Sequence, residues 1–309
     1  MNNKSLSGNS TYNPTSGWIN GFLGVVAFSG SMPATKAAVM YLPPVFLTVT
    51  RAGVAGLLAL CALLIFKEKW PAKTQLASLI VVALGAVLGF PLLSSLALQY
   101  ITSARSLVFI GMLPLTTAIF GVIRGGERPS PIFWLFAVLG TLLVIGYAVA
   151  QGGSASLVGD AIMLLAVTVC GLGYAEGAKL SRQLGGWQVI SWALVFSMPL
   201  TIPLMFLLLP HSLTTVPSVA WVGVGYIALF SQFIGFVFWY RGLAQGGIAA
   251  VGQLQLLQPF FGLAIAAIVL HEQVSIGMVG ITFGVILCVA CSKKLAVHRQ
   301  LPVKANEVL

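Results

Sequence analysis

The chain has 309 residues, of which 58% are hydrophobic and only 7% charged, with a mean hydropathy of +1.00. Soluble domains carry about 25% charged residues, so this composition excludes a globular fold surrounded by water. The net charge of +10 does not point to nucleic acid: Lys and Arg stand singly or in pairs between apolar runs rather than clustered on a polar face.

Residues 1–17 are polar and read as a cytoplasmic tail; a signal peptide would carry its apolar region just after a short basic start. Ten apolar segments follow, near 18–36, 44–66, 75–98, 105–123, 131–151, 157–179, 187–209, 217–240, 248–270 and 274–292. Each is close to the roughly 20 residues that cross a bilayer as a helix. Backbone groups in hydrocarbon must be satisfied internally, so the expected fold is all-α, a polytopic membrane protein of ten transmembrane helices. The breaks are polar or turn-forming, as in Lys67-Glu68-Lys69-Trp70-Pro71 and Arg124-Gly125-Gly126-Glu127-Arg128-Pro129. Residues 293–309 read as a basic cytoplasmic tail. With the N-terminus inside, thirteen of the sixteen Lys and Arg fall on the inner side, the bias that sets membrane orientation. Lys36, Arg51 and Arg105 are the exceptions. Trp18, Trp70, Trp134 and Trp187 sit near segment ends as interface anchors.

The chain repeats. An offset of 145 places Ala104 on Ala249, Pro114 on Pro259, Glu127 on Glu272 and Ser130 on Ser275. Residues 18–152 and 156–292 therefore read as two five-helix repeats. An odd number of helices inverts the second copy in the membrane. Inverted repeats mark alternating-access transporters, whose substrate site lies near the midplane.

These residues resemble the drug/metabolite transporter superfamily in its ten-helix form, two EamA repeats. The first copy shows Ser103-Ala104, Leu113-Pro114-Leu115 and Gly126-Glu127-Arg128. The second shows Tyr240-Arg241-Gly242-Leu243-Ala244, Gly247-Ile248-Ala249, Leu257-Gln258-Pro259 and Leu270-His271-Glu272; Arg51, early in the second helix, also fits. His271 departs from the glycine that often precedes the glutamate, and the sixth helix matches the first weakly. The resemblance implies a carrier, proton-coupled or facilitative, that moves amino acids, related metabolites or toxic compounds outward across a bacterial inner membrane.

An ionisable group at a helix centre costs about 2.5–3.5 kcal/mol on insertion scales. Arg51 is therefore either a partner for a substrate carboxylate or a proton relay, or else an arginine held by backbone carbonyls or snorkelling outward. Lys36 and Lys179 end the first helix of each half, and Glu127 and Glu272 follow the fourth, so two cross-half gating pairs are expected: Lys36–Glu272 outside and Lys179–Glu127 inside. Unpaired interfacial charges are the alternative. Glu176 is a candidate proton-coupling carboxylate, or a residue paired locally with Lys179; Asp160 suits a helix start. For the substrate pathway the candidates are Gln253, Gln255, Gln258 and Pro259 in the ninth segment, Ser231, Gln232, Trp239 and Tyr240 in the eighth, Ser94, Ser95 and Gln99 in the third, and Ser29, Ser31 and Pro33 in the first. Each polar side chain could instead bond a neighbouring helix. Gly85/Gly89, Gly121/Gly125 and Gly280/Gly284 have the spacing for close helix approach.

Other functions fit less well. Cys288 and Cys291 have the spacing of a thiol redox pair, but they stand at the inner end of the last segment with no second pair to pass electrons to. The four cysteines lie in apolar stretches and imply no disulfide framework. No phosphate-binding loop or metallopeptidase spacing occurs, so neither enzyme chemistry, a cofactor nor a metal is expected. A channel would need a charged ring or filter motif. An exchanger of nucleotide sugars or other anionic metabolites would need several intramembrane cations, where this chain offers Arg51. The expected partners are a small-molecule substrate and the lipid bilayer, with a homodimer admissible.

Overall fold

The computed structural model describes residues 13–101, 106, 109–150, 156–210, 216–270 and 276–296. Among these there is helix and turn but no strand. The first helix, α1 (Pro14–Val39), starts four residues before the apolar run. Asn13 accepts the amide of Ser16 at 3.1 Å, and Pro14 occupies the first turn, where no amide is needed. Next come α2 (Pro44–Ile65), α3 (Lys73–Tyr100), α4 (Leu113–Gly125) and α5 (Pro131–Ala150). The second half holds α6 (Leu157–Leu184), α7 (Gly186–Leu207), α8 (Ser218–Gly246), α9 (Ile248–Gly252, Gln253–Leu257 and Gln258–Leu270 in succession) and α10 (Ile276–Ala296). Ser156 caps α6 and Asp160 lies in its first turn, as a helix N-terminus favours. Large apolar side chains face outward along the bundle, among them Leu57, Leu135, Leu142, Leu165, Val222 and Phe283. That is a lipid-facing surface.

The packing follows the inverted repeat. The α1–α8 pair has its counterpart in α6–α3, and α4–α6 in α9–α1. The α2–α7 and α5–α10 pairs join a helix to its own repeat partner. Gln232 lies on the pseudo-two-fold axis: its Nε2 donates at 3.1 Å to the carbonyl of Val87, the residue 145 positions earlier. A residue can meet its repeat counterpart only near that axis.

Close approach depends on glycine. On α1 and α8, Gly17 and Gly21 face Gly242 and Gly246, and a Cβ on Gly242 would lie 2.5 Å from the Gly21 amide nitrogen. The Gly85 of α3 sits equally tightly against Val169 and Gly173 of α6, and Gly121 and Gly125 meet Ile248, whereas a Cβ on Gly280 would touch nothing within 4 Å. The glycine spacing is thus used in α3 and α4. The α1–α8 seam uses two further pairs of the same spacing, Gly17/Gly21 and Gly242/Gly246.

Irregular helix recurs at matching places. Both α3 and α8 contain π-helical turns, Ala83–Gly89 and Ile227–Ile234. The 145-residue offset carries Ala83 to Ala228 and Gly89 to Ile234. The 3-10 segment Gln253–Leu257 in α9 corresponds to the turn at Gly111 and Met112 that precedes α4. A Cβ on Gly89 would lie 2.3 Å from the Leu84 carbonyl, and one on Gly235 would lie 2.8 Å from the Phe230 carbonyl. Either alanine must push a carbonyl out of the wide turn. Overpacking of this kind costs about 1–3 kcal/mol. Gly89→Ala and Gly235→Ala are each expected to lower the thermal unfolding midpoint of the purified protein, and an unchanged midpoint would show the wide turns to be dispensable.

Candidate functional site

The polar residues gather in two places, a latch at one end of the bundle and a buried strip at its centre. The latch lies where α1 starts, α2 ends and α9 starts. Gly126, Gly185 and Gly247 end α4, α6 and α8 there with φ of 66°, 98° and 93°, turns that favour glycine. Glu127, just past α4, accepts the amide of Ile248 at 2.6 Å through Oε1 and that of Ala249 at 2.7 Å through Oε2. These are free donors of the first turn of α9, so one carboxylate ties the fourth helix of the first half to the fourth of the second. Arg182 pairs with the same carboxylate at 3.1 Å. The expected Glu127 partner was Lys179. That side chain is exposed, and the ion pair goes instead to the arginine one turn further along α6, because α6 continues to Leu184.

Glu176 is buried, with 1% of its side chain exposed. It accepts from Arg124 Nε at 2.8 Å and from Ser78 Oγ at 2.5 Å. It thus bonds α4 and α3 rather than its own helix. Further cross-helix hydrogen bonds lie at the same end: Gln188 to Glu68, Gln75 to Gln183, and Ser16 and Asn20 to Gln245. A cleft of about 170 Å³ opens beside them, lined by Thr74, Gln75, Ser78, Lys179, Leu180 and Gln183. Lys36 is half-buried near the other end of α1; its expected partner Glu272 lies outside the described residues.

The central strip joins α1, α2, α8 and α9. Arg51 of α2 is 6% exposed, and one of its terminal nitrogens donates to Ser231 Oγ at 3.2 Å. Ser31 of α1 meets the same hydroxyl at 2.7 Å. Ser231 and Gln232 lie in the π turn of α8, which aims them inward. Gln253 and Gln255, in the 3-10 segment of α9, are fully buried; the Gln253 amide has no hydrogen-bond partner among the described residues, and the Gln255 amide has none there but the neighbouring Tyr174 hydroxyl. Arg51 Nε, Gln232 Oε1, Gln258 Oε1 and Trp239 Nε1 are likewise unpartnered there. Pro259 is buried directly below the segment.

An aromatic wall stands beside the strip. Tyr174 of α6 packs edge-on to Trp239 (5.5 Å), Phe236 (5.8 Å) and Tyr240 (6.5 Å), and Phe28 packs on Trp239 and Phe236. Tyr174 also neighbours Arg51 and Gln255.

Not every expected pathway residue joins this strip. Tyr240 is seated on α6, with its ring against Gly177 and its hydroxyl on the Gly173 carbonyl at 3.3 Å. Ser94 bonds the Pro91 carbonyl of its own helix, and Gln99 is exposed at the end of α3. Ser29 likewise bonds its own helix, at Val25. Residue chemistry did not single out Tyr174, Phe28 or Phe236, since an aromatic in an apolar segment carries no mark of its own. Cys288 is buried and Cys291 half-buried, both as free thiols.

Paired discontinuous helices, buried polar groups between them and inverted packing are the architecture of an inverted-repeat membrane transporter. The chain belongs to the EamA-like transporter family, whose model matches residues 15–148 and 157–292, one match per half. It is 61% identical over 282 residues to the uncharacterized transporter YdeK of Bacillus subtilis (strain 168), covering 91% of this chain and 98% of that protein. The uncharacterized transporter YyaM of the same organism is 25% identical over 239 residues, covering 73% of this chain and 77% of that one. A solved structure titled "Crystal structure of protein" superposes with a TM-score of 0.76 at 18% identity, over 92% of this chain and 99% of that chain; it shares the fold. The family and these relatives are transporters, not enzymes.

Proposed function

We propose that this transporter exports small organic metabolites, amino acids or related compounds, from the cytoplasm by alternating access. The observation that carries the reading is the buried strip of Arg51, Gln253, Gln255 and Trp239, each with polar atoms left without partners among the described residues, beside the places where α8 and α9 depart from regular helix. Buried polar groups are ordinarily paired, and an unpaired one costs about 1–3 kcal/mol. Several at one place are the mark of a site that completes its bonds with a passing solute. Both termini and the latch end face the cytoplasm in this reading, in keeping with the Lys and Arg bias. The bonds around Glu127 and Glu176 then close the inner side. Opening the inner side breaks them, and the outer side closes in turn. Export follows from loading at the inner side.

Counterflow in proteoliposomes tests the proposal. Vesicles preloaded with a pool of amino acids and related metabolites are expected to show saturable exchange of at least one compound, lost in Gln255→Ala. Acceleration by a pH gradient would make the carrier a proton antiporter. Flux that rises linearly with concentration, without exchange, would defeat the reading in favour of a channel.

A further inference from the structure

We infer that the central strip is a carboxylate site: Arg51, with the hydroxyl of Ser231 that Ser31 holds in place, takes the head group of a small organic monoanion whose apolar body lies along Trp239 and Tyr174. The inference rests on the transport reading above and names its substrate class.

The hydrogen bonding of the serines is the first ground. Buried Ser and Thr in a helix usually return their hydroxyl to a carbonyl three or four residues back, and this chain does so at Ser29, Thr48, Ser181 and Ser197. Ser31 and Ser231 do not. They turn to each other and to Arg51. The Ser231 oxygen accepts from both, so its own proton is left to donate. Two guanidinium donors and one hydroxyl then converge on one place, an arrangement that suits an anion.

Charge is the second ground. The buried ionisable side chains among the described residues include Arg51 and Glu176, and Glu176 is already bonded to Arg124 and Ser78. No carboxylate among the described residues pairs with Arg51. An arginine held for structure alone would satisfy its five donors with carbonyls or an acid. Among the described residues this one makes a single bond, at 3.2 Å, and its Nε makes none. A buried cation with no acid beside it among the described residues matches one negative charge. It is too little for a phosphate dianion, and it repels organic cations.

The rest of the lining sets the body of the ligand. The wall is apolar and aromatic, and the buried amides of Gln253 and Gln255 can each donate or accept one polar group beyond the ring.

Three probes with the same ring and different head groups test this: benzoate, benzamide and benzylamine, titrated calorimetrically at neutral pH into the full chain in lipid nanodiscs. Benzoate is expected to bind saturably and at least about tenfold more tightly than the other two. Charge-assisted hydrogen bonds of the kind lost in Arg51→Gln correspond to about a tenfold to hundredfold change in affinity, so that variant should hold benzoate no better than benzamide. Ser231→Ala should weaken benzoate a few-fold and leave benzamide unaffected. Equal affinity for the three probes, preference for benzylamine, no saturable benzoate binding, or undiminished benzoate binding in Arg51→Gln would each overturn the assignment. If that variant does not fold, the head-group comparison on the wild-type protein decides alone. Binding is read without flux, so the two readings fail separately. Benzoate binding without counterflow of any solute would remove the transport reading and keep the site. Counterflow of solutes lacking a carboxylate, undiminished in Arg51→Gln, would do the reverse.

Discussion

Replacing Glu127 by alanine should free the first turn of α9 and loosen the whole latch end. The carboxylate holds the amides of Ile248 and Ala249 and the guanidinium of Arg182 together. Loss of a helix cap alone costs roughly 0.5–2 kcal/mol, and hydrogen bonds to a charged group are worth about 1.5–3 kcal/mol each. Amides of these buried residues, left without an acceptor, have no intrahelical substitute. Hydrogen exchange at Ile248 and Ala249 is therefore expected to rise by about tenfold to a hundredfold, while amides in the middle of α2 and α7 keep their protection. Glu127→Gln, which retains an acceptor oxygen but loses the charge, should fall between. Unaltered exchange at both amides in Glu127→Ala would show that the latch is held by other bonds. If the latch also gates transport, the same variant should bias the protein towards the state open at this end, and counterflow would report it as a changed rate with the substrate preference kept.

The second large effect is expected at the glycine seam between α1 and α8. In lipid there is little hydrophobic gain in joining two helices, so their association depends on close packing. A methyl at Gly242 would meet the backbone of Gly21 at 2.5 Å and 2.8 Å, and one at Gly17 would meet the Gly246 nitrogen at 2.4 Å. Backbone cannot rotate aside as a side chain can. The helices must separate, which also strains the bonds from Ser16 and Asn20 to Gln245. Gly242→Ala and Gly17→Ala are each expected to destabilise the protein by about 1–3 kcal/mol or more, seen as a lower thermal midpoint or as failure to purify as a monodisperse species. Gly280→Ala, with open space around it, is the control and should be near neutral. Comparable midpoints for all three would count against the seam.

Several features were legible in the residues alone. Ten apolar stretches, their punctuation by Gly, Pro and charge, and the 145-residue recurrence of proline and glutamate led to the helices and the inverted halves, because burial in lipid leaves helix as the one local solution for such segments. Arg51 and the glutamines of α9 stood out for the same reason, as polar groups in a medium that penalises them. Glu127 was marked by the repeat, and its place after α4 was right.

The tertiary structure decided what those groups touch. Glu127 meets Arg182 and two amides rather than Lys179, because the choice depends on where α6 ends and how it turns against α9. Glu176 bonds Arg124, distant in sequence, through a helix contact that no local spacing encodes. The π turns at Ala83–Gly89 and Ile227–Ile234 come to view only in the fold, where Gly89 and Gly235 leave room for the carbonyls of Leu84 and Phe230. Tyr174 and Trp239 become a wall only once α6 and α8 are side by side. Sequence determined which segments enter the membrane and which residues are out of place there; only the packing of the helices determined which of them meet, since a partner in lipid is chosen by geometry and not by hydrophobicity.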